Sequence, residues 1–289
     1  MNEARIVLKS SAKLGEGSIW DSREKCLWWV DITAGRVHRY DPVTGENRTC
    51  EVGQMVGTVV MCENGGLLVA IEKGIATLDF ESGRIELLAQ PEADKPTNRF
   101  NDGKCDPAGR FWAGTMSLTG EEKAGSLYVY DASGRVRTMV GDVTTSNGIV
   151  WSLDRMTMYY IDTRTREVWA YDYDLETGDI ANRRTVVEVS ADLGSPDGMT
   201  IDAEGMLWVA HWGGWAVNRW DPGTGLRLDS VKVPAECVTS CAFGGDDLKT
   251  LYITTAGGGE GGKTEQPDSG HLFAWKSPVP GVEAFRFAD

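Results

Sequence analysis

Short apolar runs separated by tight polar turns set the rhythm of this chain. Six runs stand out: "CLWWVDI" (26–32), "GLLVAIE" (66–72), "RFWAGTM" (110–116), "TMYYIDT" (157–163), "MLWVAHW" (206–212) and "TLYITTA" (250–256). They recur at intervals of about 40 to 50 residues, the period of propeller blades. Most follow a polar turn ("DSREK", "CENG", "DPAG", "SLDR", "DAEG", "DDLK"), and several precede another strand, as in "SLYVYD", "EVWAYD" and "AVNRWD". A hairpin with Asp and Gly three or four apart then follows, as in "DPVTG", "DFESG", "DASG", "DLETG" and "DPGTG". No segment sustains a helical period with caps, and "EEKAG" is too short to form a helix. Many short strands, Gly-rich turns and a fixed period predict an all-β fold: a six-bladed β-propeller of four-stranded antiparallel blades. The leading "ARIVLKS" has no unit of its own and is predicted to close the ring by adding a strand to the last blade. The whole chain, 1–289, reads as one propeller domain.

The repeat becomes a map once each blade is laid innermost strand first around a central channel. The apolar runs are then second strands. About ten residues ahead of each, the innermost strand should open at the channel mouth. The residues there are Glu16 in "LGEGSIW", Gly57 in "VGTVVM", Asn101 in "FNDGKC", Asn147 in "SNGIVW", Asp197 in "PDGMTI" and Ser240 in "TSCAFG". Glu16, Asn147 and Asp197, far apart in sequence, would converge near the axis. Two carboxylates and an amide oxygen form an all-oxygen set suited to one divalent cation. Oxygen ligands favour Ca²⁺, with Mg²⁺, Mn²⁺ and Zn²⁺ as alternatives.

Each of these residues also has a local reading, because "N-G" and "D-G" are ordinary turn dipeptides. "SPDGMT" (195–200) looks like a turn in its own right, with Pro196 and Gly198 as turn residues. Recurrence at one level of several blades favours the ring, since a turn would be served as well by Ser or Gly. Alternation of strand direction places the loops 117–125, 211–216 and 257–270 over the same mouth.

Composition narrows the partners. Hydrophobic content of 41% with eleven Trp supplies a sizeable core. A formal charge of −14 argues against nucleic acid and anionic membranes as partners. No apolar run approaches the roughly 18 residues of a membrane helix. The start "MNEARIVLKSSAK" lacks the apolar core and cleavage site of a signal peptide. Cys26, Cys50, Cys62, Cys105, Cys237 and Cys241 form no CxxC pair and read as reduced thiols. A cytoplasmic protein, a monomer or weak dimer acting on a small molecule, is the expectation.

Other motifs subtract possibilities. "GGGEGGKT" (257–264) satisfies the phosphate-loop pattern, but "EQPDSG" and the strand-like "HLFAWK" follow where a helix should open. It reads as a Gly-rich loop over the mouth. No G-x-S-x-G is present, and His38, His211 and His271 are isolated. Trp212 and Trp215 could stack on a sugar, although Trp also fills the space between blades. "DAEG" (202–205) lacks the later ligands of a calcium loop and reads as a hairpin turn.

The stretches "LGEGSIW", "NRFNDGKCDPAGRFWAGTM", "SNGIVWSLDRMTMYYID", "SPDGMTIDAEGMLWVAHW" and "CAFGGDDLKTLYITTA" resemble the gluconolactonase family that includes regucalcin, over about residues 10–275. The resemblance implies a six-bladed propeller with one divalent metal in the channel, hydrolysing sugar lactones. It implies Glu16, Asn147 and Asp197 as metal ligands, the three already reached from spacing. The "NRFND" motif would make Arg99 and Asn101 substrate contacts, with Asn101 near the metal and Asp102 beside it. Where regucalcin-like members carry a substrate-binding glutamate after "GTM", this chain has Thr119, which leaves Glu121 or Glu122 to reach in. From the chemistry of such a site, the metal would polarise the lactone carbonyl and Asp197 would be the base for an attacking water. Two rival classes share such a site: a phosphotriester hydrolase, and a calcium-binding regulator without turnover.

Overall fold

Each of the six apolar runs folds as the second strand of its own small sheet: Cys26–Asp31, Leu67–Ile71, Phe111–Ser117, Thr157–Asp162, Leu207–Trp212 and Thr250–Thr255. The computed structural model describes residues 2–257 and 266–289. In every sheet the preceding strand is innermost, giving blades 1 to 6: Gly15–Asp21, Val56–Met61, Asn98–Cys105, Ser146–Trp151, Ser195–Ile201 and Val238–Gly244. These six strands pack on one another around the ring, the sixth against the first. The protein is a six-bladed β-propeller. Helix among the described residues is confined to two 3₁₀ turns, Thr163–Thr165 and Ala191–Leu193.

Burial explains why the second strands read as continuous apolar runs. The innermost strands of blades 1, 2, 4 and 6 are buried along their whole length, as is the second strand Cys26–Asp31. Neighbouring blades cover both faces, so alternation disappears, as it does in sheets covered on both sides. The outermost strand Arg84–Ala89, with no blade beyond it, is largely exposed. Tryptophans fill the wedges between blades. Trp112 of blade 3 meets Trp151 of blade 4 with ring centroids 5.9 Å apart, and Trp208 of blade 5 meets Phe243 of blade 6 at 5.9 Å.

The N-terminal strand closes the ring as expected: Arg5–Leu8 pairs antiparallel with Leu272–Lys276 of blade 6, Arg5 opposite Ala274. One element departs from the four-stranded plan. Asn2–Glu3 pairs parallel with Arg227–Lys232 and gives blade 5 a fifth strand. Asn2 Nδ2 donates to both Asp229 carboxylate oxygens at 3.0 Å, a contact that two residues of sequence could not announce.

In blades 1, 3 and 5 the polar turn between first and second strands is built on a buried aspartate, Asp21, Asp106 and Asp202. Asp106 Oδ1 accepts the amides of Ala108 and Arg110, both at 2.9 Å. Its Oδ2 accepts Arg110 Nε at 2.6 Å, Trp112 Nε1 at 2.9 Å and the Tyr173 hydroxyl at 2.8 Å. Asp202 of "DAEG" repeats the pattern with Glu204, Met206, Trp208 and Arg219, so that segment is a hairpin turn. Asp106→Ala would take the carboxylate from a half-buried Arg110, which keeps its bonds to Leu175 O and Glu176 O, and leave the Trp112 indole N–H and the Tyr173 hydroxyl hydrogen without an acceptor. It should cost about 2–4 kcal/mol, read as a lower urea midpoint at unchanged slope.

The far ends of the innermost strands are covered by the C-terminal segment. Ala203 N donates to Pro280 O at 2.8 Å, Phe287 N to Met61 O at 2.9 Å and Ala288 N to Gly109 O at 2.9 Å, which laces blades 5, 2 and 3. The phosphate-loop-like stretch 257–264 lies, Gly257 apart, outside the described residues. All six cysteines are buried free thiols. No helix among the described residues is long and apolar enough to cross a membrane.

Candidate active site

Every innermost strand carries a one-residue bulge at the same level. In blade 5, Pro196 pairs with His211 and Met199 with Val209, so three steps on one strand match two on the other. The same shift falls between Glu16 and Ile19, Val56 and Thr58, Phe100 and Gly103, Ser146 and Ile149, and Val238 and Ser240. A bulge breaks the alternation of side chains and re-aims one of them. Glu16, Asn101, Asn147 and Asp197 all sit at this step, ten residues ahead of the first residues of their second strands, Cys26, Phe111, Thr157 and Leu207.

The turn reading of Pro196 and Gly198 is therefore corrected: both lie inside the strand Ser195–Ile201. Proline is tolerated there because a bulge releases the ladder position. Gly198 answers to the neighbouring blade, since a Cβ would come 2.8 Å from Thr239 O and 2.9 Å from Ser240 Cα. Gly148 faces Asp197 O in the same way, at 2.8 Å. At Gly57 a Cβ would lie 2.3 Å from Asn101 O, which is why blade 2 offers no side chain to the ring. Ser240 bonds the Ser18 hydroxyl at 2.9 Å.

Glu16, Arg99, Asn101, Asn147 and Asp197 line one cavity of about 410 Å³, walled also by Leu14, Met116 and Trp212. All five polar residues are buried. Glu121 and Glu122 are not brought in. They stay exposed on their loop and do not line the cavity. A Ser117–Thr119 hydroxyl contact of 2.9 Å and a Lys123 N to Thr144 Oγ1 bond of 3.1 Å fix that loop at either end. His211 is fully buried, bonded through Nδ1 to Leu193 O at 3.0 Å, with burial pushing its pKa down to about 4. It is a neutral core histidine. Trp215 is 45% exposed.

Hydrogen bonds orient the donor set. Asn147 Nδ2 donates to Thr163 Oγ1 at 2.9 Å, which assigns the carboxamide and leaves its Oδ1 buried with no partner. Asp197 Oδ1 is likewise buried and unpartnered. Glu16 Oε2 accepts the Gly17 amide at 3.0 Å. Burial, aided by the Asp102 charge, pushes the Glu16 carboxyl up to about 8. Burial and the Glu16 and Asp102 charges push Asp197 well above the usual carboxylate range. Such a group of acids favours a cation between them. No three Asp, Glu, His or Cys side chains among the described residues are disposed to hold a metal. The set that fits one has two carboxylates, with the Asn147 carboxamide as the third donor.

Arg99 Nη1 donates to Phe100 O at 2.9 Å and to Asn101 Oδ1 at 2.7 Å, while Asn101 Nδ2 donates to Ser146 O at 2.7 Å. This leaves Asn101 one lone pair and one N–H for a ligand. Thr163 and Arg164, which sequence reasoning missed, also line the cavity. The signal for Thr163 was present in the "IDT" that closes the apolar run of blade 4, whereas nothing in that run marked Arg164. Asp162 accepts the Thr144 and Thr145 amides at 3.0 and 2.9 Å, as Asp31 of "VDI" accepts those of Lys13 and Leu14 at 2.8 and 3.0 Å. An aspartate in this place ties the second strand to the entry of the innermost one.

Residues 14–257 match the family model described as SMP-30/Gluconolactonase/LRE-like region. The chain is similar to a putative sugar lactone lactonase, YvrE, of Bacillus subtilis (strain 168), 41% identical over 288 residues and 99% of either chain. It is similar to regucalcin of Xenopus laevis, 43% identical over 274 residues and 92% of either chain. Among solved structures, a calcium-binding protein, regucalcin from Agrobacterium tumefaciens, superposes with a TM-score of 0.93 at 29% identity, covering 99% of this chain and 97% of that one. The chain belongs to the SMP-30/gluconolactonase/LRE-like family.

Proposed function

We propose that this protein is a divalent-cation-dependent lactonase that opens sugar (aldono-)lactones to the corresponding acid. The observation that carries the reading is the pair of buried, unpartnered oxygens, Asn147 Oδ1 and Asp197 Oδ1, in one cavity with Glu16. Buried polar atoms are nearly always satisfied, so two orphans in one cavity point to a ligand. The lactonase name of the Bacillus relative supports the chemistry, and the calcium-binding description of the Agrobacterium protein supports the ion.

Glu16, Asn147 and Asp197 would hold the cation, Ca²⁺ by the hardness of the donors. When bound, it supplies a Lewis acid toward the lactone carbonyl oxygen. Asp197 is the base: its carboxylate takes the proton of the attacking water and returns it to the ring oxygen as the acyl C–O bond breaks. Arg99 and Asn101 hold sugar hydroxyls, their mutual bond fixing both before substrate arrives. Leu14, Met116 and Trp212 give the ring an apolar wall.

A panel of aldonolactones and phosphotriesters, each assayed with Ca²⁺, Mn²⁺, Zn²⁺ and Mg²⁺, tests the reading. Cation-dependent opening of lactones is expected. Hydrolysis of the triesters alone would move the assignment to phosphoryl chemistry. No turnover with any cation would leave the calcium-binding reading that the Agrobacterium relative suggests.

A further inference from the structure

The cavity has a charged group that a neutral sugar lactone does not use. Arg164 lies at the centre of the 3₁₀ turn Thr163–Thr165, lines the cavity and is exposed at its rim. The turn beneath it is fixed on all sides. Thr163 N donates to Thr145 O at 3.0 Å, Thr165 Oγ1 to Asp162 O at 2.7 Å, and Arg166 Nη1 to Gly194 O at 2.8 Å. Arg166 itself sits in the left-handed region at φ 59. Thr163 also accepts Asn147 Nδ2, so the turn that presents Arg164 holds the candidate ligand as well.

Among the described residues Arg164 makes no hydrogen bond or ion pair. What sets it apart from other unpaired arginines is its place in the lining of the cavity that holds Glu16, Asn147 and Asp197. Arg48, Arg110, Arg184 and Arg219, by contrast, each have a carboxylate partner. A divalent cation would balance Glu16 and Asp197, and Arg99 already donates to Phe100 O and Asn101 Oδ1. Among the described residues that line the cavity, Arg164 is then the guanidinium left to meet a ligand. Its planar fork matches a carboxylate or a phosphate far better than a hydroxyl.

We propose that Arg164 selects sugar lactones carrying a second anionic group, a carboxylate or a phosphate, at the end of the molecule away from the reacting carbonyl. The proposal rests on the lactonase reading for the identity of the ring, but its test does not need turnover. The cation-loaded full chain is titrated calorimetrically with gluconate, glucarate and 6-phosphogluconate. The two probes with a second anionic group should bind about ten-fold tighter than gluconate, and whichever is tighter identifies the group. Arg164→Ala should bring all three within about two-fold of each other, and Arg164→Lys should retain part of the preference. The net charge of −14 opposes such a preference, so it cannot come from the general field. Equal binding of the three probes by the unaltered chain would overturn the proposal. So would a preference that survives Arg164→Ala, since the second anion would then sit on the cation. Absence of lactone hydrolysis alone would count against the lactonase reading and leave this binding ratio standing.

Discussion

Asp197→Asn should lower lactone hydrolysis by on the order of 10³-fold, the middle of the range a positioned base contributes, while the ring stays folded. The substitution keeps the shape of the side chain and removes only the charge. In the protein without a cation that charge is unfavourable: burial and the facing Glu16 and Asp102 already hold the Asp197 carboxyl well above its usual range. The metal-free variant should therefore melt at the same temperature as the parent or higher. The same change should weaken the response of the melting temperature to added cation. Lost activity with retained stability and a lost cation response separates a ligand and base from a merely structural acid. Full activity in Asp197→Asn would remove it from both roles.

Removing the cation is the second large effect, and it carries a pH signature. Without a cation, burial and the Asp102 charge push the Glu16 carboxyl up to about 8 in the folded chain, well above the ordinary range of a glutamate. A carboxyl whose folded value is raised favours the fold below its unfolded value, and that contribution is lost as pH rises through the folded value. The chelated protein should thus lose stability between about pH 5 and pH 8 through this group. A bound cation favours the ionised acids and should flatten or reverse the slope. At a cation concentration 100-fold above Kd the stabilisation is about 2.7 kcal/mol. Melting curves across that pH range, with chelator and with Ca²⁺, check both parts. Parallel curves would mean that the acids do not hold the ion.

The fold was legible because blades cover the inner strands on both faces, which turns "CLWWVDI" and "GLLVAIE" into unbroken apolar runs. The ring positions were legible because one bulge per innermost strand fixes a constant offset to the second strand. What escaped notice depends on contacts made across the ring. The Asn2–Glu3 strand and the C-terminal lacing are held largely by backbone bonds that leave no hydrophobic period. Gly198 carries the same letter whether it relieves a turn or makes room for Thr239 O. Glu121 matched by chemistry alone, and the tethers of its loop leave it exposed. Arg164 lay in a turn whose geometry depends on Asp162 and Gly194.

The central claim is that Glu16, Asn147 and Asp197 hold one cation that lactone opening requires. The most direct measurement titrates Ca²⁺ into the chelator-treated, metal-free chain while following acid release from an aldonolactone. Activity should rise from background to a plateau at one cation per chain, and Asn147→Ala should stay near background at that cation load. Full hydrolysis with chelator in excess, or an unchanged titration in Asn147→Ala, would contradict the account.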